Sequence, residues 1–352
     1  MRRNKISLYL LLLAGLLMVW SPLVYGGDQA RIGTAGGVQL EVPVGARDLA
    51  MGGSDLAYTK GLDALFWNPA GFSNTESVAS AVFSTMTIFN DVNVNYLALG
   101  VKAGAFGNLA FSIKAFDFGD IPFTTVQDMD GASGRTFSPT FFTLGLTYAK
   151  RLTDAISLGV TGKLVTERIP QAQANAFALD VGLQYWGLGG IDGLGFGVAV
   201  KNVGSSIQYD GSGFLQQTFN PQTGRTEFSS IPTQSDELPA SIELGVSYKR
   251  EIAEGNTIIL STDFKNNNLG NDQGRIGGEY AYNDLFFLRA GWLGLGRALG
   301  FDDTSYDDMN YRFTLGVGLH FKLGRSDFNL DYAFRDSQYF DGNNLFSVRI
   351  GF

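Results

Sequence analysis

This chain offers few side chains for chemistry. Among its 352 residues there is one histidine, His320, and no cysteine. The missing thiols exclude a disulfide framework, thiolate zinc sites, iron–sulfur clusters and cysteine nucleophiles. A lone imidazole excludes any site that needs two. A Ser–His–Asp arrangement would have to use His320, but no Gly-x-Ser-x-Gly elbow accompanies it. The acidic runs Asp302-Asp303 with Asp307-Asp308, and Asp128-Met129-Asp130-Gly131, offer oxygens of the kind Ca²⁺ takes. Neither has the spacing of an EF-hand loop, so both read as solvated loops. Gly294-Leu295-Gly296 does not continue into a dinucleotide fingerprint. No metal, cofactor or catalytic constellation is expected. A barrel enzyme built on His320 stays open as an alternative.

The elements that would position any site follow a period of two. In 311–323, Tyr311, Phe313, Leu315, Val317, Leu319, Phe321 and Leu323 share one face, and Arg312, Thr314, Gly316, Gly318, His320 and Lys322 share the other. Such alternation marks a strand. Its length exceeds the usual 5–6 or so residues of soluble strands and suits a membrane-spanning one, which needs about 9–11. The same pattern predicts fourteen strands, near 77–85, 92–103, 107–117, 140–150, 156–167, 176–186, 194–203, 239–250, 256–266, 274–282, 285–293, 311–322, 327–334 and 345–352. One face is apolar and aromatic. The other holds glycine, serine, threonine and charges of both signs, among them Lys114, Lys163, Asp180, Lys201, Glu243, Asp263, Lys265, Arg289, Asp331 and Arg349. Connections are short at one end and often long at the other, as in outer-membrane barrels, whose short turns face the periplasm. The mixed charges of the inner face read as a rigidifying ion-pair network.

Composition agrees. There are 46 glycines, nearly twice the usual share of about 7%, with 28 phenylalanines. Mean hydropathy is +0.03, which does not suit a helical membrane protein. Residues 1–26 read as a secretory signal peptide: Arg2, Arg3 and Lys5, an apolar run from Ile6 to Val19, and small residues before a cleavage point after Gly26. Without them the chain keeps 23 basic and 34 acidic residues, a net charge of −11, which argues against a nucleic-acid partner.

Residues 34–75 lack the period of two. Turns and two short helices are expected there, and Leu65, Phe66 and Trp67 require burial. A fourteen-strand barrel has room for a plug of this size. The division expected is 1–26 signal peptide, 27–76 N-terminal segment and plug, and 77–352 barrel.

Two stretches carry a resemblance. Val44-Gly45-Ala46-Arg47-Asp48-Leu49-Ala50-Met51-Gly52-Gly53 and Phe66-Trp67-Asn68-Pro69-Ala70-Gly71 resemble the N-terminal hatch of FadL-like outer-membrane proteins. Asn68-Pro69-Ala70 matches the hatch signature. The stretch with Gly45, Ala46, Arg47, Gly52 and Gly53 looks most like the PorV/PorQ branch. Phe352, with aromatic or aliphatic residues at alternate positions before it, resembles the terminal signal read by the barrel assembly machinery. The resemblance implies a fourteen-strand barrel with an internal hatch, placed in outer-membrane lipid. It also implies one of two non-catalytic roles: carriage of hydrophobic molecules such as fatty acids or hydrocarbons, or docking of secreted proteins in a type IX-like system. Phe66, Trp67 and Phe72 are the candidate ligand-lining residues. FadL-like transporters open their wall near the third strand, so Pro122 is read as a candidate break in pairing there.

Overall fold

The structure, a computed structural model, describes residues 31–352 apart from 90, 223 and 296–309. The signal-peptide reading of 1–26 and the Asp302–Asp308 run therefore lie outside the described residues.

Alternating sequences become strands because a pleated chain sends successive side chains to opposite faces. Fourteen of them form one closed antiparallel barrel. They are β1 Ala79–Ile88, β2 Val92–Lys102, β3 Asn108–Asp117, β4 Thr140–Arg151, β5 Ile156–Ile169, β6 Ala172–Trp186, β7 Leu194–Gly204, β8 Ser241–Ala253, β9 Asn256–Asn267, β10 Gln273–Tyr282, β11 Phe286–Trp292, β12 Phe313–Leu323, β13 Ser326–Arg335 and β14 Asn343–Gly351. Each pairs with its sequence neighbours, and β1 pairs with β14 to close the ring. Closure leaves no strand edge, the condition for backbone groups to sit in hydrocarbon. Two short strands, Ile207–Asp210 and Ser235–Asp236, extend the wall above β6. Among the described residues two irregularities interrupt the ladders, between Leu179 and Val181 on β6 facing β7 and between Glu251 and Ala253 at the end of β8 facing β9.

The faces invert the usual soluble arrangement. On β12, Phe313, Leu315 and Val317 are 40–50% exposed on the outside while Thr314 inside is fully buried. Lys163, Asp180, Lys201, Glu243, Asp263 and Arg289 are likewise buried on the inner face. Aliphatic and aromatic side chains thus coat the outside, as a lipid-facing surface requires.

Residues 37–74 lie inside the barrel. They form a 3-10 turn Val38–Glu41, helix α1 Ala46–Ala50, helix α2 Ala64–Trp67 and a 3-10 turn Pro69–Asn74. The segment threads the lumen lengthwise. It starts at the end with the long loops, where the Gly33 N–H donates to Leu269 O and Arg31 pairs with Glu237. It leaves at the end with the short turns, where Arg151 donates to Asn74 Oδ1 at 2.5 Å. The apolar core lies between segment and wall. Val44, Leu62, Leu65 and Phe72 pack on Val82, Tyr96, Ala98, Ala110 and Ala149. Ala46, Leu49, Ala50 and Trp67 pack on Met86, Ile88, Val94, Ala333 and Leu345.

Inward glycines make this contact. A Cβ on Gly159 would fall 2.3 Å from the Pro69 carbonyl, one on Gly277 2.2 Å from Met51 O, and one on Gly291 2.3 Å from Gly52 N. Backbone meets backbone there, and any side chain would push the segment off the wall.

Candidate functional site

The resemblance-carrying residues form the joints of the luminal segment. After α1, Gly52 and Gly53 both take positive φ, 70° and 71°, a left-handed helix stop that suits glycine. The Gly53 N–H returns to Asp48 O at 2.9 Å, and a Cβ on Gly53 would fall 2.4 Å from the Trp67 ring. Gly45, at φ 83°, sits against the Asp63 carboxylate. Ala46 donates its N–H to Ser347 Oγ on β14 at 2.9 Å. Asn68 is fully buried. Its amide donates to Leu56 O at 2.9 Å and to Leu183 O on β6 at 3.1 Å. Its Oδ1 accepts from the Ala70 N–H at 3.2 Å, capping the turn that Pro69 starts. Asn68-Pro69-Ala70 is therefore a clamp that turns the chain and fixes it to the wall.

Below the segment, toward the short turns, lies a buried ion network. Arg47 NH1 meets Asp48 at 2.6 Å and Asp55 at 2.8 Å, and its Nε lies 3.3 Å from Glu279. Arg289 joins Glu279 and Asp331, each at 2.6 Å. Arg349 joins Asp63 at 2.6 Å and Asp331 at 3.6 Å. The wall supplies Arg289, Arg349, Glu279 and Asp331, and these balance. The segment supplies Arg47 against Asp48, Asp55 and Asp63, a surplus of two negative charges. Burial pushes the Asp48 carboxyl up to about 7; Arg47 and the Thr59 hydroxyl oppose the shift, and Asp55 and Asp63 reinforce it. Alternation foretold that Arg289, Asp331 and Arg349 face inward; Glu279 was not singled out. The segment's three carboxylates carried no sequence signal, because only the fold brings them to that wall.

Above the segment, toward the long loops, lies a cavity of about 380 Å³, within the common size range of ligand pockets. Its floor is Leu40, Val42, Pro43, Leu49, Phe66 and Trp67. Ile88, Phe89 and Leu293 add apolar wall, and Lys201, Glu243, Lys265, Arg275 and Arg335 add charge. Phe66 and Trp67 thus line a cavity, with the Trp67 Nε1–H donating to Val44 O at 3.0 Å. Phe72 does not line it. It is fully buried in the cluster with Val44, Leu62 and Leu65, because the Pro69–Asn74 turn aims it at the wall. Lys201 and Lys114 place their ammonium groups 4.4 and 4.9 Å from the Phe66 ring centre. Lys265 bonds Glu41 at 2.8 Å, Lys201 lies 3.4 Å from Glu243, and Arg335 stacks on Tyr311 at 3.7 Å.

Pro122, His320 and Asp128 do not line this cavity. β3 pairs continuously with β2 over 108–117 and with β4 over 108–116. Pro122 lies beyond it in a small loop hairpin with Thr136–Phe137 and marks no break in the wall. His320 sits near the short-turn end, with Nδ1 2.9 Å from Asp284 O and Nε2 3.6 Å from Asp327. Asp128 accepts the Ala132 and Ser133 N–H groups at 2.7 and 3.0 Å, which caps a turn.

No protein-family model and no curated protein sequence matches the chain. Solved structures do. The Pseudomonas putida toluene transporter TodX aligns over 88% of this chain and 97% of its own, at 14% identity and a TM-score of 0.51. The CymD monoaromatic hydrocarbon channel aligns over 88% and 98%, at 12% identity and a TM-score of 0.50. A Pseudomonas aeruginosa FadL homologue aligns over 88% and 98%, at 12% identity and a TM-score of 0.46. The fold is one shared with TodX and CymD: an all-β chain closed into a fourteen-strand antiparallel barrel.

Proposed function

We propose that this chain is an outer-membrane barrel that carries hydrophobic small molecules through its lumen, with residues 37–74 as a hatch. The observation that carries the reading is the cavity resting on Phe66 and Trp67. It lies directly on the segment that fills the lumen, so a molecule entering from the long-loop side reaches an aromatic floor that must shift for passage. The apolar outer face supports placement in lipid. TodX is described as a toluene transporter and CymD as a monoaromatic hydrocarbon channel, and their shared fold supports the same class of cargo here. The reading assigns the chain no catalysis. The test is uptake of toluene and of a long-chain fatty acid by a deletion strain, with and without the wild-type gene and Phe66→Ala. Restored uptake of either compound, reduced by the substitution, is expected. Uptake unchanged by deletion overturns the proposal.

A second reading, docking of secreted proteins as in the PorV/PorQ branch, draws on the Gly45–Gly53 stretch. It also draws on the hairpin Leu215–Asn220 with Arg225–Ser230, which exposes Phe219 and Phe228 among the long loops. Loss of surface proteins from the same deletion strain, with uptake intact, would select it.

A further inference from the structure

On the inner face of β3, β4 and β5 the side chains form a lattice with one missing member. Gly145 on β4 lies between Ser112 on β3 and Lys163 on β5. In the next row toward the long loops Lys114 stands directly across from Thr143. In the row below, Thr147 bonds Thr161 at 2.8 Å. A Cβ at Gly145 would fall 2.5 Å from Ser112 Oγ, so its absence leaves space. The result is a chamber of about 30 Å³, lined by Lys114, Lys163, Thr143 and Ser112 and capped by Leu65 and Phe66 of the luminal segment. That is room for about two water-sized spheres.

The charges around it do not balance. Lys163 has Asp180 at 2.5 Å and the Asn202 amide oxygen at 2.8 Å. Lys114 is 95% buried and donates to Val42 O at 2.8 Å, but among the described residues it has no carboxylate within 4.0 Å. Thr143, 93% buried, has a hydroxyl without a hydrogen-bond partner. A buried ammonium without a counter-charge is costly, and so is an unused buried hydroxyl.

We propose that this chamber is a binding site for a small monovalent anion, a halide, held by Lys114, Lys163 and Thr143 between the wall and the luminal segment. A halide supplies the charge that Lys114 lacks and accepts from the Thr143 hydroxyl. Water fits the space but brings no charge. The chamber shares Leu40 and Phe66 with the cargo cavity but is a distinct space, and the proposal does not depend on the transport reading. Because Leu40, Leu65 and Phe66 close over it, the anion adds a contact between segment and wall.

Bromide tests the proposal. Crystals of the detergent-purified full chain grown in sodium bromide should show an anomalous peak in the space beside Gly145. In solution, bromide at constant ionic strength, exchanged against gluconate, should raise the temperature at which the folded gel band is lost. At a hundredfold excess over its dissociation constant, bound bromide raises the folded-to-unfolded ratio about a hundredfold. Gly145→Ala and Thr143→Val should reduce the bromide response. Lys114→Met should abolish it while remaining at least as stable as wild type in gluconate, since the uncompensated charge is gone. A chamber without an anomalous peak, or a bromide response that persists in Gly145→Ala and Lys114→Met, overturns the site.

Discussion

The two sides of the luminal segment are built on opposite rules. Below it, three arginines and five carboxylates interlock at 2.6–3.6 Å with the surplus charge on the segment. Above it, four wall cations and two carboxylates, Glu243 and Glu41, surround open space of about 380 Å³. The same barrel wall supplies both. The lower side holds the segment in register, and the upper side leaves room for something else. The proposed hatch role needs this asymmetry, because a segment clamped on both faces would leave no room for a ligand and one clamped on neither would not stay in place.

Breaking the lower side should have the largest effect. Arg47→Met strands Asp48 and Asp55 in a buried setting and leaves Glu279 with Arg289 alone, and removing one partner of such a set costs about 3–5 kcal/mol. Hydrogen exchange of residues 46–67 should rise sharply while the barrel strands stay protected. Unchanged protection would mean that the network is not what holds the segment. Asn68→Ala comes next. It removes two donated bonds and the turn cap, at about 1 kcal/mol each, and leaves Leu56 O with the Gln184 amide as its side-chain donor. Exchange should rise around 56–70 but less around 46–50.

The contrast also explains what could be read from the sequence. The barrel was legible because a period of two reports one face at a time, and each strand repeats the message. Strand count, the inward charges of β8 to β14 and the lipid-facing row on β12 all followed from it. Phe66 and Trp67 read as demanding burial, and they line a cavity. Phe72 stood beside them as a candidate lining residue, yet a 3-10 turn rotates it into the core, and nothing local distinguishes the three. Asp48, Asp55 and Asp63 looked like ordinary polar residues, because their meaning depends on Glu279, Asp331 and Arg349 more than 200 positions away. Gly145 was one glycine among 46. Its importance lies in what its two neighbouring strands place beside it.

The upper side is probed by shape. Phe66→Ala deletes the centre of the cavity floor and the ring between Lys201 and Lys114. Truncating a central aromatic contact commonly costs binding more than about 1 kcal/mol, so affinity for a fluorescent hydrophobic probe should fall by roughly fivefold or more. The ion network below does not touch Phe66, and exchange at 46–53 should hardly move. A fall in protection there equal to the loss of binding would show that the two sides are one unit.

The smallest expected effect is that of pH on the lower side. Asp48 faces Arg47, Asp55 and Asp63 from the segment, with Glu279 on the wall joined through Arg47. Burial raises its carboxyl to about 7 from an unfolded value of 3.8. The docked segment therefore binds the proton more tightly than the released one. For an acid shifted upward, the stabilisation is fully present below the unfolded value and is lost as pH rises through about 7. Between pH 6 and 8 docking should weaken by about 1 kcal/mol, read as a fall in protection factors for 46–53 after correction for intrinsic exchange. Asp48→Asn carries no ionisable proton and should flatten the response. If docking instead strengthens with rising pH, Arg47 outweighs burial at this carboxylate, and the surplus charge of the segment is compensated in the docked state.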